Sequence, residues 1–243
     1  MSTPPDRTPT DPLPENFVPL SKLPHFDPRE VPVDSVDTQL PAVPAVQLTP
    51  AALQARFANP PKWEPELRAE PRFADRQPAQ ASVLIGIVTR PEPTVLLTER
   101  TTHLSTHSGQ IAFPGGKRDE TDRDATHTAL REAQEEIGLD PSHARVLGAL
   151  PTYTTGTRFI VTPVVALVDP SLQLTANPHE VADVFEVPLA FLMNPAHHRH
   201  HHVEAGGVLR EWLSMPYMDG TKQRFVWGAT AGMLRNLYRF LAA

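Results

Sequence analysis

Apolar residues gather in short unbroken runs in one part of the chain and at helical spacing in another. Ala81 to Val88 (ASVLIGIV) is an apolar run of strand length, and Thr94 to Thr98 (TVLLT) is a second. The intervening TRPEP carries two prolines, so the two runs predict a hairpin. Arg145 to Leu150 and Phe159 to Val168 read as further strands. Ala125 to Ile137 predicts a helix, opened by Asp124 as N-cap and closed by Gly138. At ~100° per residue, Ala125, Ala129, Leu130, Ala133 and Ile137 fall on one side, with Glu132, Glu135 and Glu136 clustered beside that stripe. Leu189 to Met193 predicts a short helix, and Trp227 to Phe240 a longer one with Met233, Leu237 and Phe240 on one side. Strands and helices alternate irregularly and without internal repeat, which predicts an α+β fold or a mixed α/β sandwich.

Proline usage divides the chain. Seventeen of the 28 prolines precede residue 80, and residues 1–45 have no apolar periodicity. Proline fixes φ and removes a backbone donor, so this stretch is expected as an extended or disordered tail. Residues 46–79 read as a lead-in with a short helix at 50–57 (PAALQARF), and residues 80–243 as the folded domain. The tract NPAHHRHHHVEAGG holds His197, His198, His200, His201 and His202 between Pro and Gly, and reads as a surface loop. Phe113 and Pro114 are expected to shape their loop, Trp227 to pack in the core, and His103 and His107 to be solvated.

With 243 residues, 40% of them hydrophobic, the chain can build a sizeable core. A formal net charge of −6 suits no nucleic-acid backbone, which calls for a positive field. There is no cysteine, so disulfides, thiol catalysis and thiolate zinc sites are excluded, in keeping with a cytoplasmic protein. No apolar stretch reaches the ~18 residues of a membrane span, and the Pro- and Asp-rich N-terminus does not read as a secretory signal.

The carboxylate cluster is the candidate chemistry. Like charges at helical spacing repel, more so when partly buried. A divalent cation removes that repulsion, and an all-oxygen donor set suits Mg²⁺ or Mn²⁺. Such an ion polarises phosphoryl oxygens and acidifies water. Gly115 and Gly116 just upstream allow a tight turn and a close backbone approach.

Gly116 to Leu139 resembles the Nudix box, G-x5-E-x7-R-E-U-x-E-E-x-G-U with U apolar. Arg131, Glu132, Ala133, Glu135, Glu136, Gly138 and Leu139 match its second half. The first half is one residue longer here, so the box's first Glu has no direct counterpart, and Asp122 or Glu120 stands nearest. The resemblance implies an α/β/α sandwich with a mixed sheet and a loop–helix–loop motif. It also implies Glu132, Glu135 and Glu136 as metal ligands and Arg131 as their orienting partner. Glu180 would be an additional catalytic carboxylate on a late loop.

Upstream, Leu96-Leu97-Thr98-Glu99-Arg100-Thr101 followed by Gly109 to Gly116 (GQIAFPGG) is similar to the signature of the coenzyme A diphosphatases, roughly LLTxR[SA]xxxRxxxGxxxFPGG. That subgroup implies hydrolysis of coenzyme A to adenosine 3',5'-bisphosphate and 4'-phosphopantetheine. Arg100, Gly115, Gly116 and Lys117 would lie at the substrate, and homodimers are common in the family. Thr101 stands in place of Ser or Ala, a mild change, and Ser105 in place of the motif's Arg. Losing that cation removes a partner for a substrate phosphate. It leaves open a Nudix hydrolase of ADP-ribose, a dinucleotide or an NTP, and a non-catalytic nucleotide sensor on the same scaffold.

Overall fold

The computed structural model describes residues 26–70, 77–101, 109–205 and 208–243. In chain order its elements are β1 (Ser35–Val36), α1 (Pro50–Ala58), β2 (Ala79–Val88), β3 (Thr94–Arg100), β4 (Ile111–Ala112), β5 (Gly115–Lys117) and α2 (Ala125–Ile137). There follow β6 (Ala144–Ala149), β7 (Tyr153–Thr154), β8 (Phe159–Val168), β9 (Val181–Pro188), α3 (Leu189–Leu192), β10 (Arg199–Ala205), β11 (Val208–Asp219), β12 (Lys222–Trp227) and α4 (Gly228–Ala242).

The main sheet is mixed. β2 lies at its centre and pairs in parallel with β8 along its whole length, from Ala79↔Phe159 to Val88↔Val168. The predicted β2–β3 hairpin forms only beside its turn, at Ile87↔Val95 and Val88↔Thr94. Beyond it the two strands part. β5 pairs with β2 in the gap and β4 with β3, while the other edge of β3 is taken by β9. This parting lets the loop that carries Gly115 and Gly116 enter the sheet.

Alternation of side chains along β2 and β3 builds two cores. Leu84, Val88 and Leu96 point to one face and pack on Ala129, Ala133 and Ile137 of α2. Ile85, Ile87, Val95 and Leu97 point to the other and pack with Leu53 of α1 and Met233, Leu234, Leu237 and Leu241 of α4. The result is an α/β/α sandwich of the predicted class. α2 is bounded as its signals predict, since Asp124 accepts a hydrogen bond from the His127 N–H and Gly138 closes the helix at φ 68°.

Two segments are less solvated than their composition suggests. Residues 26–45 form a strap, with turns at 28–30 and 38–39, that lies on the domain surface; residues 1–25 of the expected tail are outside the described residues. β1 pairs with β10, Val43 is buried, and the Val43 N–H donates to the Met193 carbonyl. Prolines here fit because an extended strap on a surface needs few backbone donors. The histidine tract is the second. It forms β10 in a second, antiparallel sheet of order β1-β10-β11-β12. His198 and His201 are buried, and His200 and His202 pair with Asp37 and Asp34 of the strap. Trp227 is only partly buried, at the start of α4. Ser105, His103 and His107 lie outside the described residues.

Candidate active site

The site is assembled where α2 faces the parting of β2 and β3. Its centre is Glu136, whose side chain is almost wholly buried beside β5. The Gly115 N–H donates to Glu136 Oε2 at 3.0 Å, and Arg100 Nη1 stands 3.7 Å from Oε1. Burial dominates the electrostatics and pushes the Glu136 carboxyl up to about 7, with the charges of Glu132 and Glu180 pushing the same way. The Gly115 donor and Arg100 offset only part of this. Glu132 is raised too, first by burial and then by Glu135 and Glu180, against the pull of Arg131. Three carboxylates, Glu132, Glu136 and Glu180, therefore share one electrostatic neighbourhood.

The glycines are spatially required. A Cβ on Gly116 would fall 2.5 Å from Glu132 Oε2, and one on Gly115 would strike the Ser82 carbonyl oxygen of β2.

Arg131 is the organiser. Its Nη2 donates to Glu132 Oε1 at 2.8 Å and its Nη1 to Glu135 Oε2 at 2.9 Å. On its other side Nε and Nη2 form a two-pronged pair with Asp122, each at 3.0 Å. Asp122 has a side chain with 0% exposure. It also meets His127 Nδ1 at 2.8 Å and accepts from the Asp119 N–H at 2.9 Å. The Arg131 guanidinium, with these donors, holds its carboxyl far below the usual range. Between the two candidates for the missing first glutamate, Asp122 is the residue that contacts Arg131; Glu120 is exposed. The shorter aspartate goes with the extra loop residue.

Of the residues singled out from the sequence, Arg100, Gly115, Gly116, Arg131, Glu132, Glu136 and Glu180 come together. Lys117 is exposed at the mouth, with its carbonyl accepting from Arg131 Nη2 at 3.2 Å. Glu135 turns outward, its side chain 57% exposed. As the side chains lie, no three acidic or histidine groups among the described residues converge tightly enough to hold an ion, because Arg131 engages both Glu132 and Glu135. The donor chemistry nevertheless fits a hard divalent cation. It is all oxygen, and its members raise one another's proton affinity, which a cation would reverse.

Residues 78–206 match the family model of the NUDIX domain, which is about half of the chain. The chain belongs to the Nudix family. One relative, the "Uncharacterized Nudix hydrolase NudL" of Escherichia coli (strain K12), is 47% identical over 161 residues, covering 65% of this chain and 80% of the relative. Among solved structures, an Ap4A hydrolase binary complex of C. elegans is 18% identical, covering 49% of this chain and 85% of that one, with TM-score 0.40. The Nudix domain of Shewanella oneidensis NrtR, solved with ADP ribose, is 23% identical over 56% of this chain and 82% of that one, with TM-score 0.38. The protein is thus a Nudix hydrolase of a nucleoside diphosphate derivative. Enzymes of this family generally use a divalent cation such as Mg²⁺ or Mn²⁺. Among the described residues, no helix is long and apolar enough to cross a membrane.

Proposed function

We propose that this Nudix hydrolase cleaves the diphosphate bond of coenzyme A or a derivative, giving adenosine 3',5'-bisphosphate and 4'-phosphopantetheine. The observation that carries the reading is the meeting of two motifs in one place. Arg100, from the LLTER run like that of coenzyme A diphosphatases, reaches to 3.7 Å of Glu136, from the Nudix box. Arg100 Nε is also buried with no hydrogen-bond partner among the described residues, which suits a guanidinium kept for an anionic ligand.

In this reading Glu132, Glu135 and Glu136 hold Mg²⁺ or Mn²⁺. When bound, the cation supplies positive charge at the phosphoryl oxygens and makes water more acidic. Arg131, anchored by Asp122, sets the direction of the carboxylates. Glu180, beside Glu132 and Glu136, accepts a proton from the attacking water. Arg100 and Lys117 take the diphosphate charge, and the two glycines let their loop close against β2 and the Glu132 carboxylate.

The test is a product assay. Purified protein with Mg²⁺ or Mn²⁺ is given coenzyme A, ADP-ribose, NADH, diadenosine polyphosphates and NTPs separately, with Glu136→Gln as the blank. Phosphopantetheine from coenzyme A, well above turnover of the others, is the expected result. Preferred turnover of ADP-ribose or a dinucleotide would discard the coenzyme A assignment, a result that Ser105 in place of the motif's arginine would then explain. A protein that binds these nucleotides and turns over none would be a sensor.

A further inference from the structure

β3 and β9 run in regular antiparallel register from Thr94↔Pro188 to Glu99↔Asp183, and then the register breaks. Arg100 pairs with Val181, so Ala182 is an extra residue on β9. A bulge of this kind reverses the inward–outward alternation of the strand that carries it. In consequence Val181 enters the core beneath α2, while Ala182 is exposed. Glu180 follows at once, its carbonyl accepting from the Thr101 N–H at 3.0 Å. Arg100 and Glu180, two of the groups facing Glu136, are thus set by one break in the ladder.

The last regular pair before the break is unfavourable by itself. Glu99 and Asp183 are like charges directly opposite each other. What offsets them comes from β12, in the second sheet and beyond the residues that match the family model. Arg224, only 6% exposed, donates Nη1 to Glu99 Oε2 at 2.9 Å, and its Nη2 stands 2.7 Å from Asp183 Oδ2. Its guanidinium lies 4.0 Å over the Phe185 ring of β9 and is also held by Asp219 at 2.8 Å. Lys222 Nζ meets Glu99 Oε2 at 2.6 Å and Asp183 Oδ2 at 3.7 Å.

We propose that Arg224, with Lys222, is a positioning residue. It locks Glu99 against Asp183, fixes the bulge, and through it sets Arg100 and Glu180 against Glu136. Neither cation touches the carboxylate cluster; both act through the backbone of β3 and β9. The kinetic consequence rests on the hydrolase reading above, and the backbone consequence does not.

The experiment reads both. Amide hydrogen exchange of Arg100 and Thr101 is followed in Arg224→Met, Lys222→Met and the double variant Arg224→Met/Asp183→Asn. Hydrolysis is measured in parallel on whichever nucleotide the wild type cleaves. Arg224→Met is expected to speed exchange at these two amides at least tenfold, with α2 and α4 unchanged, and to lower kcat about tenfold while KM stays within twofold. Asp183→Asn in that background removes the repulsion, and should recover most of both losses. Lys222→Met, at a half-exposed site where folding is not at risk, should shift both in the same direction by less. Wild-type exchange at Arg100 and Thr101 in Arg224→Met and Lys222→Met overturns the proposal. So does faster exchange spread evenly over the whole fold, or no recovery in the double variant. If the wild type cleaves none of the nucleotides, the hydrolase reading fails and the exchange measurements still decide this one.

Discussion

A carboxylate without solvent is tolerated only when its oxygens are fully partnered, and Asp122 meets that condition through Arg131, His127 and the Asp119 N–H. Removing one partner of a buried charged hydrogen bond costs about 1–3 kcal/mol, and Arg131 keeps Glu132 and Glu135 when Asp122 is lost. Asp122→Ala should therefore lower stability by that order in chemical denaturation and abolish turnover, since Arg131 loses its anchor. A stable, active Asp122→Ala would mean that Arg131 is oriented by Glu132 and Glu135 alone. Gly116→Ala tests the opposite side of the cluster. The new Cβ would sit 2.5 Å from Glu132 Oε2, so that carboxylate has to move. A displacement of ~1 Å in such a constellation is worth about a hundredfold in rate. An alanine enzyme that keeps wild-type kcat and metal dependence would show that Glu132 does not act where it now lies. The sequence made the carboxylates legible because helical spacing is rigid. It could not choose between Asp122 and Glu120, because the loop before α2 has no period and only the packed structure says which side chain is covered.

Among the elements, the strap and β10 depart furthest from their patterns. Polar, proline-rich residues 26–45 and the histidine tract each read as solvated, yet they cover each other. His200 and His202 meet Asp37 and Asp34, and His201 Nδ1 donates toward the Val31 and Pro32 carbonyls. Burial here comes from mutual pairing of polar groups rather than from apolar runs, and no single segment reveals it. Removing residues 1–48 should therefore lower the thermal midpoint and the soluble yield, because Val43 and Leu48 leave the core. A truncated protein that melts like the full chain would show that the strap adds nothing. Beneath the strap, His198 is fully buried; its Nε2 donates to the Leu192 carbonyl, and Arg235 donates to its Nδ1 at 3.1 Å. Burial, with Arg235 adding to it, lowers its pKa from 6.5 to about 4. A depressed folded pKa means that the unfolded chain takes the proton first, so this group's stabilisation is full above pH 6.5 and falls away towards about pH 4. His198→Gln should flatten the loss of stability over that window in paired denaturation curves. An unchanged slope would assign the acid sensitivity to other groups.

At the scale of the whole molecule, the elements that the pattern predicts best lie in the main sheet, and their pairing is what it predicts least. β2 and β3 are adjacent in sequence and look like a simple hairpin, but they share only the two pairs beside the turn. A run of apolar residues specifies a strand without specifying its partner, since the same side chains satisfy a parallel or an antiparallel neighbour buried on both faces. β2 takes β8 instead, and that choice opens the sheet for the glycine loop and hence for the site.

That same pairing governs how the chain reaches its fold. Ala79 waits for Phe159, 80 positions later, so the strand at the centre of the sheet lacks its parallel neighbour while the residues between them emerge from the ribosome. Distant contacts close slowly, and a seven-residue run such as SVLIGIV, without charge or proline, is the kind of segment that associates with its own copies meanwhile. Refolding from denaturant should then be slow for the size of the domain, and its yield should fall as protein concentration rises; a yield independent of concentration would clear this run of blame.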